Sequence, residues 1–280
     1  MIQDIYPSKL YNQYTKEVIS KEDYIFCFDD KGRMLVNESG DGEPFPKGKD
    51  VINAEAIYLF SVDDKKYFMA KESSNDCGNV LLKEAQNDYN YYSVVDVRDK
   101  LIGADVYSAF TAYHLWKWYN DNKYCGKCGC KLTHDSKERA LRCESCGNMV
   151  FPRINPAVIV GVINNDKILI TKYRTGYAHS ALVAGFTEIG ETLEETVARE
   201  VMEETGIKVK NIRYYKSQPW GMAQDILMGF YCEPEGDTII KMDENELKYA
   251  EWVGRDDVKL QPNNLSLTNE MMQKFKEGSV

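Results

Sequence analysis

Residues 185–207 read GFTEIGETLEETVAREVMEETGI, and this stretch predicts a glycine turn, a short loop and one helix. Thr192 followed three residues later by Glu195 forms a helix-capping box, and Gly206 stands where helices commonly end in a left-handed residue. One edge of the helix should face the core, because its apolar residues recur every four positions: Leu193, Val197 and Val201. We therefore expect an amphipathic helix between Thr192 and Gly206.

Three carboxylates lie on one side of this predicted helix. At about 100° per residue, Glu200, Glu203 and Glu204 fall within an arc of about 100°. They repel one another unless a cation lies between them, and oxygen ligands without histidine or thiolate favour Mg²⁺ or Mn²⁺. Such a cation beside a glycine-rich loop suits a phosphate-containing substrate. The alternative is a solvated glutamate-rich face, which accounts for Glu194 and Glu195 but not for the whole pattern.

The length and charge of the chain restrict the classes of protein that it can be. Its 280 residues give room for one large domain, or for two modest domains and a small module. The net charge of −9 argues against broad nucleic-acid binding but leaves room for one local basic patch. The N-terminus lacks the basic and apolar runs of a signal peptide, and no apolar run approaches the ~18 residues of a membrane span. We therefore expect a cytoplasmic protein.

Residues 1–120 predict a small, mixed, β-rich domain that ends in a helix. Its strand-like runs are separated by polar turns: 24–28, 56–62, 66–70 and 92–97. The clearest turn is 41–49. Helical apolar spacing predicts a helix over 104–120, with Trp118 off the apolar stripe. We interpret His114 on that helix as a packing or hydrogen-bonding residue rather than a ligand.

Residues 121–152 form a cysteine-rich module. Two Cys-x-x-Cys-Gly knuckles supply four thiols: Cys125, Cys128, Cys143 and Cys146. Each knuckle aims two thiolates at one point, and four thiolates at ~2.3 Å describe a structural Zn²⁺. Cys130, two residues after Cys128, is a poor fifth ligand. Unbound cysteines or redox pairs are the alternatives, and a zinc ribbon can also bind nucleic acid.

Residues 153–280 predict a domain of strands and helices. Asn164-Asn165-Asp166 separates two strand-like runs, 157–163 and 167–171, and predicts a hairpin. Three further strands and a last helix are predicted after the capped helix: 212–216, 226–232, 249–253 and 265–276. This mixture in ~125 residues fits a sheet between layers of helices. The fold class is therefore α+β, an α/β/α sandwich preceded by the cysteine module and the N-terminal domain.

The stretch at 185–207 resembles the Nudix box, G-x5-E-x7-R-E-U-x-E-E-x-G-U with U aliphatic, at every specified position. With the four-cysteine ribbon before it and Ser217-Gln218-Pro219-Trp220 after it, the chain resembles the NAD(H) diphosphatase (NADH pyrophosphatase) family of Nudix hydrolases. The resemblance runs from about Leu115 to the C-terminus and includes short stretches in the ribbon, the box and the last helix: 151–153, 184–186, 250–252 and 261–268.

The resemblance implies hydrolysis of the pyrophosphate in NAD⁺ or NADH to nicotinamide mononucleotide and AMP, and in some family members removal of NAD caps from RNA. It implies that Glu200, Glu204 and the carbonyl of Ala184 bind Mg²⁺ or Mn²⁺, with Glu203 as a further ligand or proton acceptor. Glu246 matches a family carboxylate of the metal site and is a second candidate for the base. Arg199 orients a glutamate by an ion pair rather than touching substrate.

Other residues match substrate contacts of the family. Phe151 and Phe186 match aromatic positions that stack on a base or nicotinamide ring, with core packing as the alternative. Glu138 matches a substrate contact on the ribbon, with a solvated loop acid as the alternative. The remaining substrate candidates lie around the loop after the box: Gln218, Pro219, Trp220, Gly221, Met222, Ala223, Gln224, Asp225 and Thr268. The family also implies a homodimer.

The chain departs from the family after Trp220, where Gly221-Met222-Ala223-Gln224-Asp225 replaces the usual Pro-Phe-Pro-x-Ser. Loss of both prolines should loosen this loop, and Asp225 either adds a metal ligand or disfavours the usual anion. The preferred dinucleotide therefore stays open. Two other functions remain as alternatives: a Nudix hydrolase of another nucleoside diphosphate derivative such as ADP-ribose, and a non-catalytic nucleotide sensor whose ribbon binds nucleic acid.

Overall fold

The structure is a computed structural model that describes residues 1–37, 42–51, 55–71, 89–175 and 179–280. Contacts divide the chain into two compact units. The first comprises Met1–Gln3, Ile154–Trp220 and Gln224–Val280, and the second comprises Asp4–Arg153 with Gly221–Ala223. The first residue of the expected 41–49 turn, Asp41, lies outside the described residues.

The second unit contains short strands and two helices. Among the described residues its elements are β1 (Leu10–Tyr11), β2 (Tyr24–Phe26), β3 (Met34–Asn37), β4 (Ala56–Val62), β5 (Lys65–Ala70), β6 (Tyr89–Tyr92), α1 (Val94–Lys100), α2 (Gly103–Asp121), β7 (Thr133–His134), β8 (Leu141–Arg142) and β9 (Met149–Val150). One sheet has the order β1-β4-β5-β2, β3 pairs with β6, and β7-β8-β9 form the sheet of the cysteine module. Three of the strand predictions and the helix over 104–120 are confirmed.

The expectation of a strand at 92–97 was wrong. Only its first residue, Tyr92, ends a strand, and α1 begins at Val94. The Ser93 side chain accepts from the backbone N–H of Asp96, and the Asp96 carboxylate accepts from the N–H of Ser93. This reciprocal cap satisfies two amides that a helix start would otherwise leave unpaired, which outweighs the β-preference of the valines.

Helix α2 has buried residues on more than one side within the second unit. Val106 and Phe110 are buried on its apolar stripe. Trp118, off that stripe, is only 1% exposed, because it packs into the cysteine module against Leu132 and Leu141. His114 is a hydrogen-bonding residue, as expected, since its Nε2 lies 2.8 Å from the carbonyl oxygen of Arg153.

The first unit is a sheet between two helices. Its elements are β10 (Asn155–Asn164), β11 (Lys167–Tyr173), β12 (Val183–Phe186), α3 (Leu193–Thr205), β13 (Val209–Trp220), β14 (Asp225–Pro234), β15 (Leu247–Gly254), a 3-10 turn (Arg255–Asp257) and α4 (Leu267–Lys276). Among the described residues the strand order is β13-β14-β10-β11-β15, and β12 also pairs with β10. Strand β10 runs parallel to β14 and antiparallel to β11 and β12.

Alternate residues of β10 send apolar side chains to the two faces of the sheet. Val158 and Val160 belong to the core cluster that includes Val201 of α3. Ile159, between them, belongs to the cluster that includes Met271 of α4. The period of two in a strand thus joins one helix to each face and makes the expected α/β/α sandwich.

The local signals of the first unit are confirmed. The Thr192–Glu195 capping box is formed, and Gly206 ends α3 in the left-handed region at φ 72°. The hairpin between β10 and β11 pairs Asn164 with Lys167 and holds Asn165 at φ 55°. Among the residues that the structure describes, no helix is long and apolar enough to cross a membrane.

Replacing the cap of α3 should loosen that helix. Thr192→Ala removes the acceptor of the Glu195 amide, whose N–H lies 3.2 Å from the Thr192 hydroxyl, at a cost of about 1 kcal/mol. We expect amide hydrogen exchange in α3 to accelerate about fivefold, and exchange to stay unchanged in Thr15→Ala, whose threonine is exposed. Unchanged protection of α3 in Thr192→Ala would contradict this account of the cap.

Candidate active site and metal centre

The three glutamates of α3 differ in their exposure to solvent. Glu203 is open, with 62% of its side chain exposed, whereas the Glu200 side chain is 13% exposed. Glu204 is buried at 2%. One side of a single helix therefore carries a buried, a half-buried and an open carboxylate.

Arg199 connects these carboxylates to the loop before the helix. Its Nη1 donates to Glu200 Oε1 at 2.7 Å and to Glu203 Oε2 at 3.0 Å. Its Nε and Nη2 donate to the two oxygens of Glu191 at 2.6 and 3.0 Å, and Nη2 also donates to the carbonyl of Phe186 at 2.9 Å. The guanidinium of Arg199 lowers the pKa of Glu191 to about 2. One guanidinium thus fixes three carboxylates and a main-chain carbonyl.

Glycine at 185 is required by the position of Glu200. A Cβ at Gly185 would lie 1.9 Å from the Glu200 carboxyl carbon and 2.1 Å from its Oε1. The carboxylate therefore lies directly against the backbone of β12, where only a hydrogen fits. Burial raises the pKa of Glu200, while Arg199 opposes that rise and the charges of Glu203 and Glu246 add to it.

Tyr173, the last residue of the sheet strand β11, holds the Glu204 side chain in place. The Tyr173 hydroxyl donates to Glu204 Oε1 at 2.9 Å and accepts from the Ala184 N–H at 3.0 Å. The other oxygen, Oε2, is buried without a hydrogen-bond partner among the described residues. Burial raises the pKa of Glu204 to about 8, with further contributions from the charges of Glu200 and Glu246. An acceptor atom aimed inward without a donor is suited to a cation.

Glu246 lies outside the helix, in the turn before β15, and is exposed. Its charge acts on both Glu200 and Glu204, so the turn brings a fourth carboxylate near the helix. Its main-chain carbonyl accepts from the N–H of Arg174 at 3.0 Å, which fixes the turn.

The two candidate stacking residues are exposed. Phe186, at the end of β12, is 53% exposed, and Phe151, in the second unit, is 55% exposed. Core packing, the alternative interpretation of both, was therefore wrong. Each ring therefore presents apolar surface to solvent.

Gln218 is fully buried and its amide is used by the protein. Its Oε1 accepts from the Leu267 N–H at 2.7 Å, and its Nε2 donates to the Leu265 carbonyl at 2.7 Å and to Gln3 Oε1 at 3.1 Å. Gln218 therefore fixes the chain entering α4. Of the neighbouring candidates, Pro219 is exposed and Trp220 and Thr268 are partly buried.

The unusual segment after Trp220 forms a tight turn. Trp220 pairs with Asp225 across β13 and β14, so four residues close the hairpin, with Met222 partly buried and Ala223 exposed. Gln224 takes a left-handed backbone at φ 62° and is buried. Asp225 is 5% exposed, and the Asn155 amide lies 3.5 Å from its Oδ1.

Within the second unit, a Cβ at Gly221 would lie 2.1 Å from the Phe110 carbonyl oxygen, so glycine is required there.

The cysteine module brings four sulfurs to one point. All four Sγ atoms lie within 4.8 Å of one another, in a group formed by Cys125, Cys128, Cys143 and Cys146. Two of the separations are 3.4 and 3.7 Å, near the ~3.8 Å edge of a tetrahedron with ~2.3 Å zinc–sulfur bonds. Left-handed Gly129 and Gly147 close both knuckles, at φ 75° and 70°. The donor set fits one structural Zn²⁺, and Cys130 is exposed outside it.

Glu138 lies in the loop between β7 and β8 and is exposed. Its N–H donates to Asp135 Oδ1 at 2.9 Å, which also accepts from the Lys137 N–H at 2.8 Å. The Asp135 carboxylate thus fixes the loop, and its pKa falls to about 2 because of these amides and the Arg142 guanidinium. The Glu138 side chain is therefore exposed, on a loop whose backbone is fixed by hydrogen bonds to Asp135.

Two protein-family models match parts of the chain. The NUDIX domain family matches residues 153–275, and the NADH pyrophosphatase zinc ribbon domain matches residues 120–151. The fold and the glutamate helix are those of a Nudix hydrolase. A crystal structure of a NUDIX hydrolase from Nitrosomonas europaea is similar with a TM-score of 0.49 and 20% identity, over 55% of this chain and 91% of that one.

Curated relatives narrow the class to a family. NAD-capped RNA hydrolase NudC of Escherichia coli O1:K1 / APEC is 41% identical over 186 residues, 65% of this chain and 71% of that protein. The protein of the same name from Escherichia coli O9:H4 (strain HS) matches equally. The chain therefore belongs to the NADH pyrophosphatase (NudC) family of Nudix hydrolases, which confirms the resemblance found in its sequence.

Sequence reasoning missed two residues of the site. Glu191 is a fixed position of the box, but only the structure reveals it as the main partner of Arg199. Tyr173 carries no signal in the sequence, since a tyrosine near a strand end is ordinary. Its contact with Glu204 depends on β11, β12 and α3 coming together, which no local pattern encodes.

Zinc should depend on the four grouped cysteines and not on the fifth. We expect one zinc per chain in the purified protein by elemental analysis. Cys143→Ser should lose it and destabilise the second unit, because the four thiolates provide both binding and folding energy. Cys130→Ser is the matched control and should keep the zinc. Retention of zinc by Cys143→Ser would contradict the assigned ligand set.

The raised pKa of Glu204 should make stability depend on pH when no divalent cation is added. The carboxyl ionises at about 4.5 in the unfolded chain and at about 8 in the folded protein. Between these values the unfolded state has lost the proton and the folded state keeps it. Stability should therefore fall as pH rises, with a limiting slope of about 1.4 kcal/mol per pH unit from this group.

Glu204→Gln removes this titration, so its free energy of unfolding relative to wild type should rise with pH over the same window. Glu194→Gln, at an exposed position of the same helix, is the control and should follow the wild-type profile. Denaturant unfolding at several pH values measures both. Parallel profiles for wild type and Glu204→Gln would show that Glu204 is ionised in the folded protein.

Proposed function

We propose that this protein hydrolyses the pyrophosphate bond of NAD⁺ and NADH, giving NMN or NMNH and AMP, and that it also accepts NAD-capped RNA. The observation that carries the proposal is the set of α3 glutamates fixed by Arg199, on a chain whose ribbon matches the NADH pyrophosphatase zinc ribbon domain. The similarity to NAD-capped RNA hydrolase NudC of Escherichia coli supports the capped-RNA substrate.

The donor atoms fit a hard divalent cation, Mg²⁺ or Mn²⁺. The candidate ligands are all oxygens: the carboxylates of Glu200, Glu203, Glu204 and Glu246 and the carbonyl of Ala184. The buried Oε2 of Glu204, which lacks a hydrogen-bond partner among the described residues, is the observation that favours a cation here. When bound, such a cation neutralises pyrophosphate charge and lowers the pKa of a coordinated water.

The protein's own residues would place and deprotonate that water. Arg199 and the hydrogen at Gly185 hold Glu200 in one orientation, and Tyr173 does the same for Glu204. Glu203, with 62% of its side chain exposed, is the open carboxylate of the helix and our first candidate for the base. Glu246 is the second candidate, since it is exposed and acts on the same glutamates.

We assign the nucleotide contacts to exposed groups. Phe151 and Phe186 would stack on rings of the substrate, each contributing ~1–3 kcal/mol, and Glu138 would contact it from the ribbon. Thr268 and the segment from Pro219 to Asp225 complete the candidate set. For Gln218, whose amide is already engaged, we propose a positioning role on the chain entering α4.

The remaining parts of the proposal concern organisation. We propose three segments, an N-terminal domain at 1–120, a zinc ribbon at 121–152 and a Nudix domain at 153–280. We also propose a homodimer and a cytoplasmic location. Gel filtration with light scattering tests the homodimer. Fractionation of cells that produce the protein tests the cytoplasmic location.

A product assay tests the activity. The purified protein with Mg²⁺ or Mn²⁺ should convert NADH and NAD⁺ to NMNH or NMN and AMP, and Glu203→Gln should lower kcat at least about a hundredfold because a proton acceptor is lost. Chromatography of the products measures this. Cleavage of ADP-ribose alone would mean that the turn after Trp220 has redirected specificity, and binding without cleavage would favour a nucleotide sensor.

Gly185→Ala should abolish most activity without unfolding the protein. Its methyl group would displace the Glu200 carboxylate, and a displacement of about 1 Å at a catalytic group can cost ~100-fold in rate. Gly254→Ala is the matched control, since among the described residues its Cβ would meet only Asp257 Oδ2, at 3.5 Å. Equal kcat values for the two variants would contradict the close fit of Glu200 against β12.

A further inference from the structure

The segment between β14 and β15 carries Glu246 and is attached to the end of the glutamate helix α3. The last carbonyls of a helix have no partner within the helix and must be satisfied from outside. Here the Asp243 N–H donates to the Glu204 carbonyl at 2.9 Å, and the Lys241 N–H donates to the Thr205 carbonyl at 2.8 Å. The backbone that leads to Glu246 is therefore bound to the main chain of Glu204, itself a residue of the candidate metal site.

The end of β11 fixes the same segment from the sheet. The Tyr173 hydroxyl donates to the Glu204 carboxylate, and the next residue, Arg174, donates its N–H to the Glu246 carbonyl at 3.0 Å. Leu247, directly after Glu246, is fully buried and pairs with Tyr173 across the two strands. Two consecutive residues of the chain thus hold one glutamate by its side chain and the other by its backbone.

The Asp243 side chain determines the path of the chain between these two attachments. Its Oδ1 accepts from the Asn245 N–H at 2.8 Å and from the Asn245 Nδ2 at 2.9 Å. The Asp243 carbonyl accepts from the Leu247 N–H at 3.0 Å. A side chain that binds the backbone two residues further on forms an Asx turn, which orients the residues after it. Asp243 therefore closes a turn whose fourth residue is Glu246.

Glu246 is exposed, so the main chain of its turn, rather than side-chain packing, sets where its carboxylate lies. The charge of this carboxylate raises the pKa of both Glu200 and Glu204, which places it within reach of theirs. Metal ligands depend on outer partners that hold them in orientation.

We propose that Asp243 is a positioning residue of the metal site. Through the turn that it closes, it keeps the Glu246 carboxylate close enough to Glu200 and Glu204 to bind the same divalent cation. This inference rests on the proposed function, because it takes Glu246 as a ligand of the cation of that site.

Titration with Mn²⁺, followed by the electron paramagnetic resonance signal of the free ion, tests this role without substrate. Asp243→Ala removes the acceptor of the Asn245 amide and should raise the Kd for Mn²⁺ at least about tenfold, as the loss of an outer partner of a metal ligand does. Asp243→Asn keeps an acceptor oxygen and should stay within about twofold of wild type. Both changes remove the charge, so the comparison separates position from charge.

Asp243 should act only through Glu246. Glu246→Gln should itself weaken Mn²⁺ binding, because a carboxylate ligand is lost. When Asp243→Ala is added to Glu246→Gln, the Kd should change by no more than about twofold, since two changes that act through one group do not add.

Asp237→Ala is the matched control. Asp237 is exposed, and its Oδ1 accepts from the Ile239 N–H at 3.0 Å in another turn of the same unit. Its replacement removes the same kind of contact and the same charge, and should leave Mn²⁺ binding unchanged. Asp243→Ser, whose hydroxyl is a weaker acceptor, should lie between asparagine and alanine and provides the comparison if alanine unfolds the protein.

The inference is overturned by any of four results: no Mn²⁺ binding by wild type, wild-type affinity in Asp243→Ala, equal weakening by alanine and asparagine, or additive losses in the double variant. Equal weakening would reduce the role of Asp243 to its charge, and additive losses would mean that it acts independently of Glu246. A wild-type protein that binds Mn²⁺ but leaves NADH intact would reject the proposed function instead, since the titration contains no substrate.

Discussion

The ion-pair network of Arg199 is the interaction on which the candidate site depends. Glutamates crowded on one helix repel one another, and a buried carboxylate would take up a proton rather than stay charged. One guanidinium, fixed by both oxygens of Glu191, holds Glu200 and Glu203 in defined positions and ties α3 to the Phe186 carbonyl of β12. Helix, loop and strand are therefore joined at the point where the carboxylates converge, which gives the spacing of the box a physical reason.

Backbone fit and side-chain charge act together at this point. Because residue 185 is glycine, the Glu200 carboxylate can lie against β12. The Tyr173 hydroxyl holds the Glu204 carboxylate by a hydrogen bond. Glu204 keeps one oxygen buried and without a partner among the described residues, an arrangement that is costly unless a cation completes it. The zinc ribbon is a different kind of metal site, in which four cysteine sulfurs converge beside the buried Trp118 in an arrangement that fits a structural Zn²⁺.

Features encoded by neighbouring residues could be predicted from the sequence. The capping box at Thr192, the hairpin at Asn165 and the ribbon knuckles each need only a few adjacent residues in a required conformation. The box pattern also identified the glutamates correctly as one side of a helix. The strand expected at 92–97 failed because Ser93 and Asp96 cap a helix more strongly than the valines favour a strand. Tyr173, the exposure of Phe186 and the engaged amide of Gln218 depend on distant segments meeting, so spacing could not reveal them.

Anomalous diffraction from crystals of this protein grown with Mn²⁺ tests the central claim most directly. The account predicts a manganese peak coordinated by Glu204 Oε2 and Glu200, with the Ala184 carbonyl beside it and Arg199 still bound to Glu191. A peak that avoids Glu204, or an Arg199 side chain turned away from the glutamates, would contradict the claim that this network preforms the metal site.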